Sequence, residues 1–175
     1  LFNRNIQAQS DSITILLNKL NAKTISDIEK KALKTIAFDV QNRGQLLDES
    51  RHDYKGALLL TDSAIYLFNS LEDTLNEANN RKFKGYLLGR VGKYQDGKNE
   101  IQIAIKLFQF KNASWGVAVS QFDLSRLYEF ENRLDSALHY CNIAISYWKS
   151  KGNNDRVFLN QNMLINLLTK SKDIV

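Results

Sequence analysis

Three apolar phrases recur along the chain at one interval. SAIYLFNS runs from Ser63 to Ser70, IAIKLFQFKN from Ile103 to Asn112, and IAISYWKSKGN from Ile143 to Asn153. Laid over one another with their upstream residues and without a gap, they align four columns. Ala64 meets Ala104 and Ala144, and Ala57 meets Gly97 and Ala137. Tyr54 meets Tyr94 and Leu134, and Phe68 meets Phe108 and Trp148. A forty-residue step of this kind makes each copy one unit that buries its apolar face only by stacking on its neighbours.

The columns have a helical meaning. In each copy the small residues fall seven apart, as in Gly97 and Ala104, which is two turns and one face. Small side chains there let a neighbouring helix come close. Tyr94 or Leu134, three residues before the first small one, lies on the same face and can fill the gap between helices. Between these segments the pattern predicts helices of a second kind, over about 25–49, 72–90, 113–131 and 155–170. Polar breaks fall at GKYQ, ENRLD and SKGNND. Gly92 and Asn132 hold equivalent places at the inter-helix turn, where a left-handed backbone is convenient. DSITILLNKL, from Asp11 to Leu20, resembles the end of an earlier second helix. Proline is absent from all 175 residues, so nothing forbids long helices.

The residues that fill these places resemble the tetratricopeptide repeat. The copy beginning near Ala118 carries Leu124, Ser125 and Tyr128, then Asn132 at the turn, then Leu134, Ala137, Cys141 and Ala144. The middle copy offers Gly85, Leu88, Gly92, Tyr94, Gly97, Ile101 and Ala104. The first offers Tyr54, Ala57, Thr61 and Ala64. The resemblance covers about residues 37–170. The step is forty residues where the family commonly uses about 34, which is similar to the longer-helix variant of bacterial regulators and of some polarity scaffolds. The family's proline after the second helix is absent.

The resemblance implies an all-α fold: a right-handed superhelical solenoid of antiparallel helix pairs in one domain over residues 1–175. The pairs would occupy about 25–70, 72–111 and 113–150, with a terminal helix at 155–170. It implies a non-catalytic module that binds a protein or peptide, as the sensor or regulatory domain of a bacterial signalling protein or transcription regulator. By position, the concave face would show Asn42, Lys82, Tyr86, Arg90, Phe122, Arg126, Glu129, Asn162 and Asn166. Amides and arginines can bond a peptide backbone or a carboxylate, and aromatics add desolvated contact area. The family's Lys and Asn clamp for a terminal carboxylate is not reproduced, since Leu46 and Asp123 interrupt it.

Two further readings stand beside this one. The chain could be a scaffold that self-associates through its end helices, with Leu164 and Leu168 as the contact residues. It could bind nucleic acid through the cluster of Arg81, Lys82, Lys84, Arg90 and Lys93, within an overall charge of +5. Those charges are spread around a helix rather than striped on one face, and Asp96, Glu100 and the upstream LEDTLNE offset them, so a solvated surface is the plainer reading.

The residues point to no catalysis, cofactor or metal. His139 and Cys141, two apart on a helix, face different ways and cannot chelate together. Cys141 fits a core position, and His52 fits an exposed cap. With two histidines in all, a zinc site of the usual ligands is not expected. GYLLG and GKYQDG hold neither a nucleophile elbow nor a phosphate-cradling Gly-Lys-Ser/Thr. Tyr66, Phe68, Phe108 and Trp148 are expected in the core between repeats, while Phe110 and Tyr147, outside the shared columns, are candidates for exposure. No apolar run reaches the roughly 18 residues of a membrane span, so a soluble chain is expected, cytoplasmic or periplasmic. Leu1 in place of Met, and the helical pattern running up to KSKDIV, lead to the expectation of one domain from a longer protein.

Overall fold

The computed structural model describes residues 2–172, with side-chain detail for 12–171. Leu1 and the last three residues of KSKDIV lie outside the described residues. Among those described there are eight α-helices and no strand: α1 Phe2–Asn21, α2 Asp27–Arg51, α3 Tyr54–Ser70, α4 Thr74–Arg90, α5 Tyr94–Phe110, α6 Ser114–Phe130, α7 Leu134–Ser150 and α8 Asn154–Lys172. Each helix packs on the next in sequence, and α4 also lies against α6. That order of contacts is the one a stacked repeat requires.

The forty-residue step divides into two equal halves. Helices α3 to α7 are each 17 residues long and separated by three residues, so a new helix begins every twenty. The turns explain the regularity. His52, Glu72, Gly92, Asn112, Asn132 and Gly152, twenty apart, all have positive φ between 51° and 81°. At the last five, the next N–H donates back to the carbonyl of Phe68, Leu88, Phe108, Tyr128 or Trp148 at 2.8–3.1 Å. The left-handed N–H itself donates to the carbonyl three residues earlier. This paired closure ends a helix by satisfying carbonyls that would otherwise be orphaned. In the odd-numbered helices the accepting carbonyl belongs to the bulky column of Phe68, Phe108 and Trp148, whose side chains are buried.

Starts are set locally as well. The side chains of Asp53, Asp73 and Asn153 accept from the N–H groups of Gly56, Asn76 and Arg156. Ser26 and Glu29 form a reciprocal capping box ahead of α2. That box lets α2 begin at Asp27, seven residues before the Lys34 at which the twenty-residue step would start it. The first turn also departs from the rest, because Asp53 donates to Leu47 rather than closing on the residue five before it.

The core confirms the columns. Ala57, Ala64, Ala104, Ala137, Ala144, Phe68 and Phe108 are fully buried. Small residues mark the closest crossings. A Cβ on Gly85 would lie 2.7 Å from the Gly97 carbonyl, and one on Gly97 would lie 2.6 Å from the Gly85 carbonyl. One repeat later the same crossing is closed by the Ser125 hydroxyl, which donates to the Ala137 carbonyl at 2.8 Å. Phe108 lies flush on Gly116, where a Cβ would meet its ring at 2.3 Å. Cys141 is buried as expected, and burial pushes its thiol up to about 11.

Four sequence expectations are corrected. Tyr66 is 58% exposed instead of buried, because it sits on the outer side of α3, away from the column of Ala64 and Phe68. Leu164 packs with Met163 on the cluster of Leu134, Ala137, Cys141, Ile145 and Leu167, so it is half-buried within the chain's own packing rather than a free end contact. Tyr147 is half-buried edge-on against Trp148, whereas Phe110 is 74% exposed. The helix expected from residue 72 begins at Thr74, since Glu72 takes the left-handed turn position.

Candidate functional site

Polar pairs about forty residues apart link the even-numbered helices to one another. Asn80 of α4 donates to Gln41 of α2 at 2.8 Å. Lys82 of α4 pairs with Asp123 of α6 at 3.1 Å. Asn166 of α8 donates to Glu129 of α6 at 3.1 Å, and Lys170 pairs with the same carboxylate. Asp123 and Glu129 are largely buried, so each charge is compensated by a partner that the forty-residue step supplies.

The sequence-expected residues occupy this shared face but are not equal in role. Lys82, Glu129 and Asn166 are the ties just described. Asn42 and Asn162 are exposed at its two flanks. The middle is built from Tyr86, Arg90, Phe122 and Arg126, together with Phe83 and Phe130. The Arg126 guanidinium stands 4.1 Å over the Tyr86 ring. Tyr86 stacks on Phe83 at 6.2 Å and lies 6.4 Å from Phe130. Arg90 stands 5.8 Å over Phe130 and 5.0 Å over Tyr54, and donates to the Tyr54 phenol oxygen. That hydrogen bond holds the Arg90 pKa above its ordinary value, against a smaller opposing effect of burial. The result is a band of half-buried rings and the half-buried Arg126, edged by the exposed Arg90, across α4 and α6.

Phe130 could have been found from the sequence by adding forty to Arg90, since the two share a column with Lys170. Tyr54 could not, because it belongs to the start of an odd-numbered helix and reaches the face only through the first turn. A second constellation was also missed. Lys98 of α5 is buried, pairs with Glu131 at 2.8 Å, and stands 5.0 Å over Tyr128, which stacks on Tyr140. It joins α5 to the turn before α7 and is a tie, not an opening.

The basic cluster is largely spoken for. Arg81 pairs with Glu77 and Glu100, and Lys84 bridges Glu100 and Asp62. Burial opposes the charge on both, yet these hydrogen-bonded carboxylates hold both pKa values above their ordinary range. His52 caps α2 with its ring nitrogen 3.0 Å from the Asp48 carbonyl, and His139 is exposed on α7. Among the described residues no group of three His, Cys, Asp or Glu could hold a metal ion, and no helix is long and apolar enough to cross a membrane. No protein-family model matches the chain, and no curated protein matches it.

Proposed function

We propose that the chain is a non-catalytic binding module of tetratricopeptide type, its helix pairs winding into a right-handed solenoid whose concave groove is the face of α2, α4, α6 and α8. The groove holds an extended peptide or a partner's helix. One observation carries this reading: half-buried Tyr86, Phe122, Phe130 and Arg126, with the exposed Arg90, form a band of rings and guanidinium groups, where the same columns on α2 and α8 hold the exposed Asn42, Leu46, Ser50, Asn162, Asn166 and Lys170. A ring-and-guanidinium band half removed from water is the composition of a contact hot spot. The forty-residue step, similar to that of bacterial regulators, supports a place as the sensor or regulatory part of a signalling protein. The test is binding to an array of random twelve-residue peptides with the intact chain and with Tyr86→Ala and Arg126→Ala. Loss of the bound set in both variants, with helicity unchanged, is expected. Retention of the same set by both would remove the groove.

A second reading is favoured by α8. Phe158, Ile165 and Leu168 stand in columns whose earlier members are covered, namely Ala78 and Ala118, Gly85 and Ser125, Leu88 and Tyr128. On α8 they are 67%, 62% and 46% exposed. This supports self-association through the end helix. Sedimentation at rising concentration reads it directly: a dimer lost in the Phe158→Ser, Ile165→Ser variant supports it, and a monomer throughout removes it.

A further inference from the structure

Two guanidinium groups on the even-helix face carry hydrogen-bonding capacity that the fold does not use. Each arginine has five N–H donors in a planar fork. Arg90 spends one on the Tyr54 phenol. It has no carboxylate within ion-pair distance among the described residues, although Asp48 acts on it from farther off. Arg126 donates no hydrogen bond within 3.5 Å among the described residues. Its nearest carboxylate oxygen, on Asp123, lies at 3.7 Å, and the other oxygen of that group is held by Lys82 at 3.1 Å. The neighbouring cations differ. Arg81 and Lys84 each have two carboxylates, and Lys170 has Glu129. Arg90 therefore stands on aromatic rings with no paired acid, and Arg126 stands on Tyr86 with one long contact to a carboxylate that Lys82 already holds.

Stacking on a ring fixes the position of a guanidinium without using up its donors, and the half-burial of Arg126 raises what a new carboxylate contact there is worth. Between the two groups lie Tyr86 and Phe130, an apolar floor whose ring centres are 6.4 Å apart. From this arrangement we infer that the peptide taken by this face is acidic: carboxylate side chains accept paired hydrogen bonds from Arg90 and Arg126, and an apolar side chain between them rests on Tyr86 and Phe130. The inference rests on the groove reading above and specifies its ligand. An extended peptide advances about 3.3 Å per residue with side chains alternating in direction. Two acidic residues four positions apart, with an apolar residue midway between them, thus turn all three side chains to the band.

The probe is the random twelve-residue peptide array, followed by bound peptides resynthesised with each Glu or Asp changed to Gln or Asn. Bound peptides are expected to share acidic residues flanking an apolar one. The amide forms should bind at least about ten-fold more weakly, the scale of a charge-assisted bidentate contact. Arg90→Gln and Arg126→Gln should bind acid and amide forms alike, while Phe122→Ala weakens both forms by one factor. Lys106→Gln, which removes the same charge from an exposed position on α5, should leave the acid preference intact. Peptides that bind the face with no acid preference would overturn this inference and leave the groove standing. An array with no bound peptide would remove both. An acid preference that survives in the Arg90→Gln, Arg126→Gln double variant would place the recognition elsewhere and overturn the inference.

Discussion

Replacing Gly85 by alanine tests the close crossing of α4 and α5. In an open helix interior the change stabilises, since alanine exceeds glycine by about 1 kcal/mol in helix propensity. Here the added Cβ would sit 2.5 Å from Ile101 Cγ1 and 2.7 Å from the Gly97 carbonyl oxygen. The isoleucine can move, but the carbonyl belongs to the α5 backbone and can yield only if the helices part. Overpacking of this kind costs roughly 1–3 kcal/mol. A backbone obstruction takes the upper part of that range, so the net loss is about 1–2 kcal/mol, or roughly 2–8 °C in Tm for a chain of this size. Gly44 supplies the contrast. It too lies inside a helix, but its added Cβ would meet nothing closer than the Leu60 Cβ at 3.4 Å. Gly44→Ala should therefore gain about 0.5 kcal/mol. Urea unfolding followed by far-ultraviolet circular dichroism reads both. A Gly85→Ala protein as stable as the parent, or more so, would refute the close approach.

The turns and the charges give two more expectations. Glu72→Gly relieves a non-glycine residue at φ 56° and should raise stability by about 1 kcal/mol, whereas Gly92→Ala, at φ 81°, should lower it by a similar amount. Equal Tm shifts of one sign would contradict the left-handed turns. Acid should weaken the N-terminal half. Hydrogen bonds from Lys19 and then from Ser26 hold the Glu29 carboxyl down to about 2. Burial raises that of Asp73, but hydrogen bonds from Lys34 and Asn76 outweigh it and leave the group below its usual value. A depressed carboxyl contributes stability that is present above its unfolded pKa, about 4, and is lost as pH falls through the folded value. Stability should therefore decline from about pH 4 towards about pH 2, and Glu29→Gln with Asp73→Asn should flatten that decline. An unchanged slope would show that neither bond persists in solution.

Much of the fold was legible because its spacing is written in identical offsets. The forty-residue columns located the odd-numbered helices, and the small residues in them located the crossings. The twenty-residue half-step was harder to read, since its signature lies in backbone conformation. Glycine and asparagine at 92, 132 and 152 announce a left-handed turn, but glutamate at 72 does not, and that one residue hid the equality of the two helix kinds. The start of α2 depends on a capping box that outweighs the repeat register. On the even-helix face, sequence position selected the right columns but could not separate ties from openings. Lys82 and Arg126 read alike as basic residues. Only the placement of Asp123 shows that the first is committed to its carboxylate and the second stands mainly on Tyr86. Tyr66 and Leu164 were misplaced for a related reason: on a helix with apolar residues on more than one side, periodicity does not say which side a neighbour will cover.

The most direct measurement is backbone amide chemical-shift mapping of the intact chain titrated with a peptide selected from the array. The perturbed residues are expected to cluster on α4 and α6 around Tyr86, Arg90, Phe122, Arg126 and Phe130, fading towards Asn42 and Asn162. Perturbations confined to α3, α5 and α7, or to the exposed side of α8, would contradict the assignment of the even-helix face as the surface that holds a partner.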